Sequence, residues 1–168
     1  IGDSLIHIIR NSVDHVIESP SDRRAVCKLA KGHIILSAYH MAGRVIIDIK
    51  DDGKGLDRDT ITKLAIEKGI ITKELEQKLS KKEIFNLIFH PGFSTATNIT
   101  DVSGRGVGMD IVKMSIFKLG GSIDLKSEKG EGTMVSIKLP LTLAIMPALI
   151  VTVEDFCFAI PQVSIIEI

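Results

Sequence analysis

The sequence predicts an α/β domain, because segments with helical periodicity alternate along the chain with β-branched runs arranged as hairpins. With 168 residues, of which 45% are hydrophobic, the chain is long enough to bury a core without disulfides or metals. Its 21 basic and 21 acidic residues cancel, so it lacks the electrostatic signature of a nucleic-acid-binding protein. Cys27 and Cys157 lie far apart in no metal or redox spacing, which favours buried or free thiols in a reducing, cytoplasmic compartment.

The first half of the chain is predicted to contain an amphipathic helix, a hairpin and a helical region. Asp3 and Ser4 are capping candidates for the first helix, whose apolar residues have the spacing of one face: Leu5, Ile8, Ile9, Val13, Val16 and Ile17. The β-branched runs 33–40 and 44–50, joined by a glycine-containing loop, predict an antiparallel hairpin. Residues 57–69 predict a helix that stops at Gly69, and shorter helical stretches follow around 73–79 and 82–89.

The second half is predicted to contain a long loop, a helix, a second hairpin and an apolar run. Residues 90–105 are rich in Pro, Gly, Ser, Thr and Asn, which is typical of a long loop, and loops of that length are usually functional lids or disordered. A helix over 107–119 and strands over 121–127 and 132–140 follow. The apolar run 139–153 is shorter than the ~20 residues of a membrane span and contains prolines, so it predicts a buried strand. Because the chain begins at Ile1 and ends in an apolar alternation, we expect it to be part of a longer protein.

Polar residues recur along the first predicted helix at steps of three and four, at His7, Asn11, Asp14, His15 and Glu18. A solvated face is the simplest explanation, since an amphipathic helix needs no site on its polar side. Imidazoles, an amide and carboxylates can also bind a metal or transfer a proton. From this helix alone, both interpretations remain open.

A carboxylate and two glycines follow the second predicted strand, in "DDGKGLD" at 51–57. Turn chemistry alone explains such glycine pairs, but Asp51 with Gly53 and Gly55 is also suited to hold a planar polar group. A calcium loop is excluded, because Leu56 stands where an EF-hand needs glycine and Thr62 where it needs glutamate.

The stretch "SGRGVGMDIVK", 103–113, leads from the predicted loop into a helix. It lacks the last glycine of G-x-G-x-x-G, does not follow a strand and contains no GK[ST], which excludes the Rossmann and P-loop motifs. Such closely spaced glycines serve either a tight turn or the close approach of phosphates.

Taken together, these motifs resemble, in order and spacing, the ATP-binding fold shared by histidine kinases, gyrase, the Hsp90 chaperones and the MutL repair proteins. The details resemble the CheA family of chemotaxis histidine kinases: "HIIRNSVDHVIE" its N box, "DDGKGLD" its G1 box, "HPGFST" its F box and "GRGVGMDIVK" its G2 box. The resemblance implies a two-layer sandwich of helices on a mixed, mainly antiparallel sheet over residues 1–140. Residues 141–168 are similar to the link and first strands of a CheW-like regulatory domain.

The resemblance also implies ATP and Mg²⁺ as cofactors. Asp51 would accept a hydrogen bond from the adenine amino group, and Gly53 and Gly55 would let the backbone approach the base. Thr133 resembles the residue that shares a water with that aspartate and the adenine. Either Arg58 or Lys63 is expected to reach the phosphates.

Two residues of the first helix are the implied catalytic pair. Asn11 would bind Mg²⁺ through its side-chain oxygen, and His7, one turn earlier, would handle a proton or orient a group. The remaining nucleotide contacts implied by the resemblance are Asp14, His15, Ser94, Thr95, Gly104, Arg105, Gly106, Val107, Gly108 and Met109.

The implied reaction is transfer of the ATP γ-phosphoryl group to a histidine on a separate phosphotransfer domain, in trans within a dimer. The implied partners are a CheW-like coupling protein, chemoreceptors and response regulators, with no nucleic acid and no membrane insertion, at cytoplasmic receptor arrays. One alternative is a hydrolysing ATPase of the gyrase or MutL kind, for which glutamate is expected in place of His7. Another is a non-catalytic interaction module that nucleotide merely stabilises.

Overall fold

A four-stranded antiparallel sheet forms the base of the fold, in a computed structural model that describes residues 1–93, 108–141, 148–153 and 156–161. The strands are Ile34–Met41 (β1), Arg44–Asp51 (β2), Ser122–Glu128 (β3) and Gly132–Pro140 (β4), in the spatial order β1-β2-β4-β3. The central pair is therefore β2 and β4, which are distant in sequence. This pairing brings the C-terminal end of β2 next to the N-terminal end of β4.

Both predicted hairpins are confirmed. The β1–β2 turn uses Ala42 and Gly43 with φ of 50° and 71°, the left-handed pair that matches the twist of a two-residue hairpin. The β3–β4 hairpin pairs Glu128 with Gly132 across its turn.

Helices cover one face of the sheet. They are Gly2–Asn11 (α1), Pro20–Ala25 (α2), Arg58–Glu67 (α3), Lys73–Glu76 (α4), Lys81–Asn86 (α5) and Met109–Lys118 (α6), with a 3₁₀ turn at Leu87–Phe89. Apart from the first, the predicted helices are confirmed within their described residues, including the stop of α3 near Gly69, whose φ is 68°. The short helix α2 was not predicted.

The first helix differs from its prediction in two ways. It begins at Gly2 after Ile1, with no side-chain cap, so Asp3 and Ser4 lie inside its first turn and the capping prediction is wrong. After Asn11 the chain continues as a π turn, Ser12–Val16, instead of an α-helix. The wider turn changes the phase of the side chains, and Val13, predicted to face the core, is 55% exposed.

The core lies between the sheet and the helices. Alternate residues of the strands point toward the helices, as the period of two requires. The buried cluster contains Ile49, Leu125, Val135, Ile137 and Leu139 from the sheet and Ile8, Ala65, Ile84, Val112 and Ile116 from the helices. The predicted two-layer α/β sandwich is thus confirmed, and every described strand pair is antiparallel.

The apolar C-terminal run contributes to a separate two-stranded sheet, Ala148–Val153 (β5) and Phe156–Pro161 (β6). Leu139, at the start of this run, lies in β4 and is buried, but the prediction of a buried strand is wrong for 148–153, where Leu149, Ile150 and Val153 are more than half exposed. A two-stranded ribbon buries its faces only where another layer covers it, and the described residues supply none. Cys27 and Cys157 are both free and exposed. Among the described residues, no helix combines the length and apolar character needed to cross a membrane.

Candidate functional site

The C-terminal end of β2 carries a buried carboxylate. Asp51 is 4% exposed, and its Oδ1 accepts hydrogen bonds from the backbone N–H groups of Gly53 (3.0 Å) and Thr133 (3.1 Å). Its Oδ2 accepts a hydrogen bond from the Ser12 hydroxyl at 3.3 Å. Burial raises the pKa of Asp51 above its usual value, whereas these three hydrogen bonds act in the opposite direction. Three separate elements therefore fix the orientation of one carboxylate.

Three glycines pack closely around Asp51. A Cβ on Gly53 would lie 2.5 Å from the carbonyl oxygen of Val16. Gly55 (φ 69°) lies against the carbonyl of Glu128, and Gly132 (φ 115°) lies against the carbonyl of Asp51 itself. Protein backbone fills the space that a side chain at these positions would need, so packing alone requires glycine at all three.

Thr133 lies at the start of β4 and is 8% exposed. Its hydroxyl is 3.0 Å from the hydroxyl of Ser127, which also accepts a hydrogen bond from the Leu56 N–H at 2.8 Å and donates one to the Gly132 carbonyl at 2.9 Å. Ser127 thus ties the β3–β4 hairpin to the segment after Asp51. Roles for Ser12 and Ser127 were not predicted from the sequence; the one signal for Ser12 is its position directly after Asn11.

Asn11 and His7 lie on α1, one turn apart. The side-chain amide of Asn11 donates through Nδ2 to the sulfur of Met109 at 3.3 Å. Its Oδ1 has no hydrogen-bond donor among the described residues, which suits an oxygen ligand for a hard cation. His7 is half-buried; burial lowers its pKa, and the positive charge of Arg10 lowers it further. His7 is therefore neutral near pH 7.

The other predicted nucleotide contacts within the described residues lie at more exposed positions. Asp14 and His15 lie in the π turn and are exposed. Arg58 and Lys63 are both exposed on α3. Gly108 precedes α6 in extended conformation as its N-cap residue. The predicted contacts that lie outside the described residues are Ser94, Thr95, Gly104, Arg105, Gly106 and Val107.

Comparison with known proteins identifies the family. The family model described as "Histidine kinase-, DNA gyrase B-, and HSP90-like ATPase" matches residues 1–143. The chain is 50% identical to the chemotaxis protein CheA of Bacillus subtilis and 44% identical to that of Rhizobium meliloti, over 99% of this chain in both cases and 25% and 22% of those relatives.

The sensor histidine kinase CheAY of Helicobacter pylori is 53% identical over 99% of this chain and 21% of that relative. The chain thus spans about a quarter of the length of the curated relatives it matches. Since the family model covers most of the chain, the chain belongs to the histidine kinase-, DNA gyrase B- and HSP90-like ATPase family, as a CheA-like histidine kinase ATPase domain.

Proposed function

We propose that this chain binds ATP with Mg²⁺ at the site around Asp51 and Asn11 and transfers the γ-phosphoryl group to a histidine on a separate phosphotransfer domain. The observation that carries the proposal is the buried, hydrogen-bonded carboxylate of Asp51. The relatives named CheA and sensor histidine kinase support it.

The hydrogen bonds of Asp51 favour adenine as the bound base. A carboxylate has about four acceptor positions. Two backbone N–H groups occupy Oδ1 and one hydroxyl occupies a position on Oδ2, which leaves one acceptor position on Oδ2. The adenine amino group can donate to it, whereas guanine presents a carbonyl at the same place. Two facing acceptors cost about 1–3 kcal/mol for the missing bond.

Asn11 and His7 would serve the phosphates. Asn11 would offer Oδ1 to Mg²⁺, because its Nδ2 is already bound to Met109. When bound, Mg²⁺ neutralises phosphate charge, which is a main requirement of phosphoryl transfer. A neutral His7 can accept a proton or orient a reacting group. Histidine at this position, in place of a glutamate, favours the kinase over a hydrolysing ATPase.

The remaining expectations belong to the proposal as well. The acceptor histidine would be supplied in trans within a dimer, and residues 141–168, with β5 and β6, would begin a CheW-like regulatory domain that binds a coupling protein and chemoreceptors. Response regulators would act downstream, and the site of action would be cytoplasmic receptor arrays. Nucleic acid and membrane insertion have no part in the proposal.

Thermal melts with ATP and GTP, with and without Mg²⁺, test the binding part. ATP is expected to raise the melting temperature and GTP is not, and Asp51→Asn is expected to weaken the effect of ATP. Equal stabilisation by both nucleotides would remove Asp51 from base recognition.

Phosphotransfer to an added acceptor domain tests the reaction. Asn11→Ala removes the oxygen ligand and is expected to abolish Mg²⁺-dependent transfer even where nucleotide still binds. Full activity of this variant would exclude the metal role. Rapid phosphate release without an acceptor, and no labelling of one, would favour a hydrolysing ATPase instead.

A further inference from the structure

A buried arginine lies behind the Asp51 site, on the unpredicted helix α2. Arg23 is 1% exposed. All five N–H groups of its guanidinium donate: Nε to the Leu29 carbonyl (2.7 Å), Nη1 to Glu18 Oε2 (3.2 Å) and the Asp52 carbonyl (3.1 Å), Nη2 to the Lys31 carbonyl (3.4 Å) and Asp52 Oδ2 (2.8 Å). A planar guanidinium whose donors are all used has a fixed position and orientation.

Lys28 completes a charge-balanced cluster with Arg23, Glu18 and Asp52. Its ammonium donates to Glu18 Oε1 at 3.0 Å, to the Asp52 carbonyl at 2.9 Å and to the Gly53 carbonyl at 2.7 Å. Two cations therefore face two carboxylates, so the buried charge of Arg23 is compensated. The cluster joins the segment between α1 and β1 to the two residues that follow Asp51.

The connection to Asp51 passes through one peptide unit. The carbonyl of Asp52, held by Arg23 and Lys28, and the N–H of Gly53 belong to the same planar peptide and point in opposite directions. That N–H donates to Asp51 Oδ1 at 3.0 Å. The cations on one side of the peptide therefore set the direction in which the N–H meets the carboxylate on the other side.

The peptide has little room to adopt another orientation. A Cβ on Gly53 would lie 2.5 Å from the Val16 carbonyl oxygen, and the N–H of Lys54 donates to the same oxygen at 3.0 Å. The end of the π turn thus packs against the peptide unit directly. With Arg23 in place, the position of the Gly53 N–H is determined by its surroundings.

We propose that Arg23 is a positioning residue for recognition of the base. It orients the Asp52–Gly53 peptide, whose N–H fixes the Asp51 carboxylate so that its remaining acceptor position faces the amino group of adenine. Arg23 acts through this peptide and does not touch the nucleotide. The inference rests on the proposed function, because it needs Asp51 to bind the base.

The test compares ATP with purine riboside 5′-triphosphate, which lacks the amino group. Arg23→Lys keeps the charge, but one ammonium cannot replace a five-donor fork. We expect this variant to lose about tenfold in ATP affinity, and less than about twofold in affinity for purine riboside triphosphate, because only the amino group needs an oriented Asp51. Arg24→Lys, on the exposed neighbouring residue of α2, is the matched control and should bind both ligands as the wild type does.

A measurement without nucleotide gives an independent readout. Hydrogen exchange at the Gly53 amide should accelerate in Arg23→Lys, while exchange in the centre of β4 stays unchanged. Lys28→Met removes the second cation from the same carbonyl and should give the same pattern in milder form. If Arg23→Lys does not fold, hydrogen exchange at the Gly53 amide in Lys28→Met tests the proposal instead.

Equal losses for the two triphosphates, or an unchanged ATP affinity, would overturn the positioning role while leaving ATP binding intact. A wild-type protein that binds ATP and purine riboside triphosphate equally would instead contradict recognition of the base by Asp51, and the role of Arg23 with it.

Discussion

The side-chain amide of Asn11 donates a hydrogen bond to the thioether sulfur of Met109 at 3.3 Å, joining the last residue of α1 to the first residue of α6. The thioether sulfur is a weak acceptor, but its contact with the Asn11 nitrogen orients the side-chain amide. It directs the Asn11 nitrogen to the protein and leaves its oxygen for a ligand.

Met109→Leu keeps the volume of the side chain and removes the acceptor. We expect the Mg²⁺ concentration needed for half-maximal phosphotransfer to rise several-fold, because the Asn11 amide can then rotate. The melting temperature should change little, since the two residues have similar volumes. Met114→Leu, on the exposed side of α6, is the control. An unchanged Mg²⁺ dependence would exclude this orienting role.

His7→Gln is expected to lower kcat more than it raises KM for ATP, since handling a proton or orienting a reacting group matters most in the transition state. Burial, with the charge of Arg10, lowers the pKa of His7, so the wild-type rate should hold at neutral pH and fall only below pH 6.5, the ordinary value. The variant should lack this decline. A pH profile of kcat for both proteins gives the comparison, and an identical profile would remove His7 from the reaction.

Replacing Gly55 and Gly130 with alanine separates the cost of a left-handed backbone conformation from the cost of a steric overlap. Both glycines have φ in the left-handed region, 69° and 86°, where alanine costs about 1 kcal/mol. Around Gly130 the space is open, whereas a Cβ on Gly55 would overlap the carbonyl of Glu128. We expect urea denaturation to give a loss of about 1 kcal/mol for Gly130→Ala and about 2–4 kcal/mol for Gly55→Ala. Equal losses would mean that the β3–β4 hairpin moves aside freely.

The stability of the ligand-free protein should depend on Asp52 at acid pH. Burial raises the pKa of Asp52, but hydrogen bonds from the His33 N–H and from Arg23 lower it from 3.8 to about 2 overall. Because the folded-state value is depressed, the stabilisation is fully present above pH 3.8 and disappears as the pH falls through about 2. Asp52→Asn should therefore have a lower free energy of unfolding above pH 4 and a flatter pH dependence below it. Parallel curves for the two proteins would contradict this.

Incubation with labelled ATP and Mg²⁺ should leave this chain unlabelled. An acceptor imidazole must lie in line with the γ-phosphorus at about 3–3.5 Å. His7 is held on α1, His15 and His40 are exposed on other elements, and His33 and His90 are bound to Asp52 and to the Pro91 carbonyl. An added phosphotransfer domain should take up acid-labile label. Stoichiometric acid-labile label on the chain alone would contradict transfer in trans and would direct attention first to His90.

Much of the fold could be predicted from the sequence, because the hairpins and helices have local signals. The alternation of apolar and polar residues, together with the turn residues, predicts that strand 44–50 pairs with strand 33–40 and that strand 132–140 pairs with strand 121–127. The π turn could not be predicted, since five residues at a wider turn carry the same apolar spacing as an α-helix. Val13 shows the result: its spacing indicates a core position, and its side chain is exposed.

The site was predictable only where residues form short motifs. Asp51, Gly53 and Thr133 meet in the structure as their motifs suggest. Arg23 lies in none of these motifs, and the one signal for Ser12 is its position directly after Asn11, so their contacts with Asp52 and Asp51 become evident only in the structure. An arginine in a charged segment is usually exposed, so its burial becomes evident only when the partners that compensate its charge are known.

The π turn has a consequence for insertions and deletions in this region. A π turn holds about one residue more than an α-turn over the same length, so deleting one residue between Ser12 and Val16 would let α1 continue as a regular helix. The chain after the deletion would keep about the same angular position, because the extra residue of a π turn absorbs the ~100° by which one added residue would otherwise rotate an α-helix. Val16 would then still present its carbonyl to Gly53 and Lys54. The π turn is therefore the place where one residue can be removed without turning Val16 away from Gly53, whereas a deletion within Gly2–Asn11 would rotate the two parts of that helix by about 100° relative to each other.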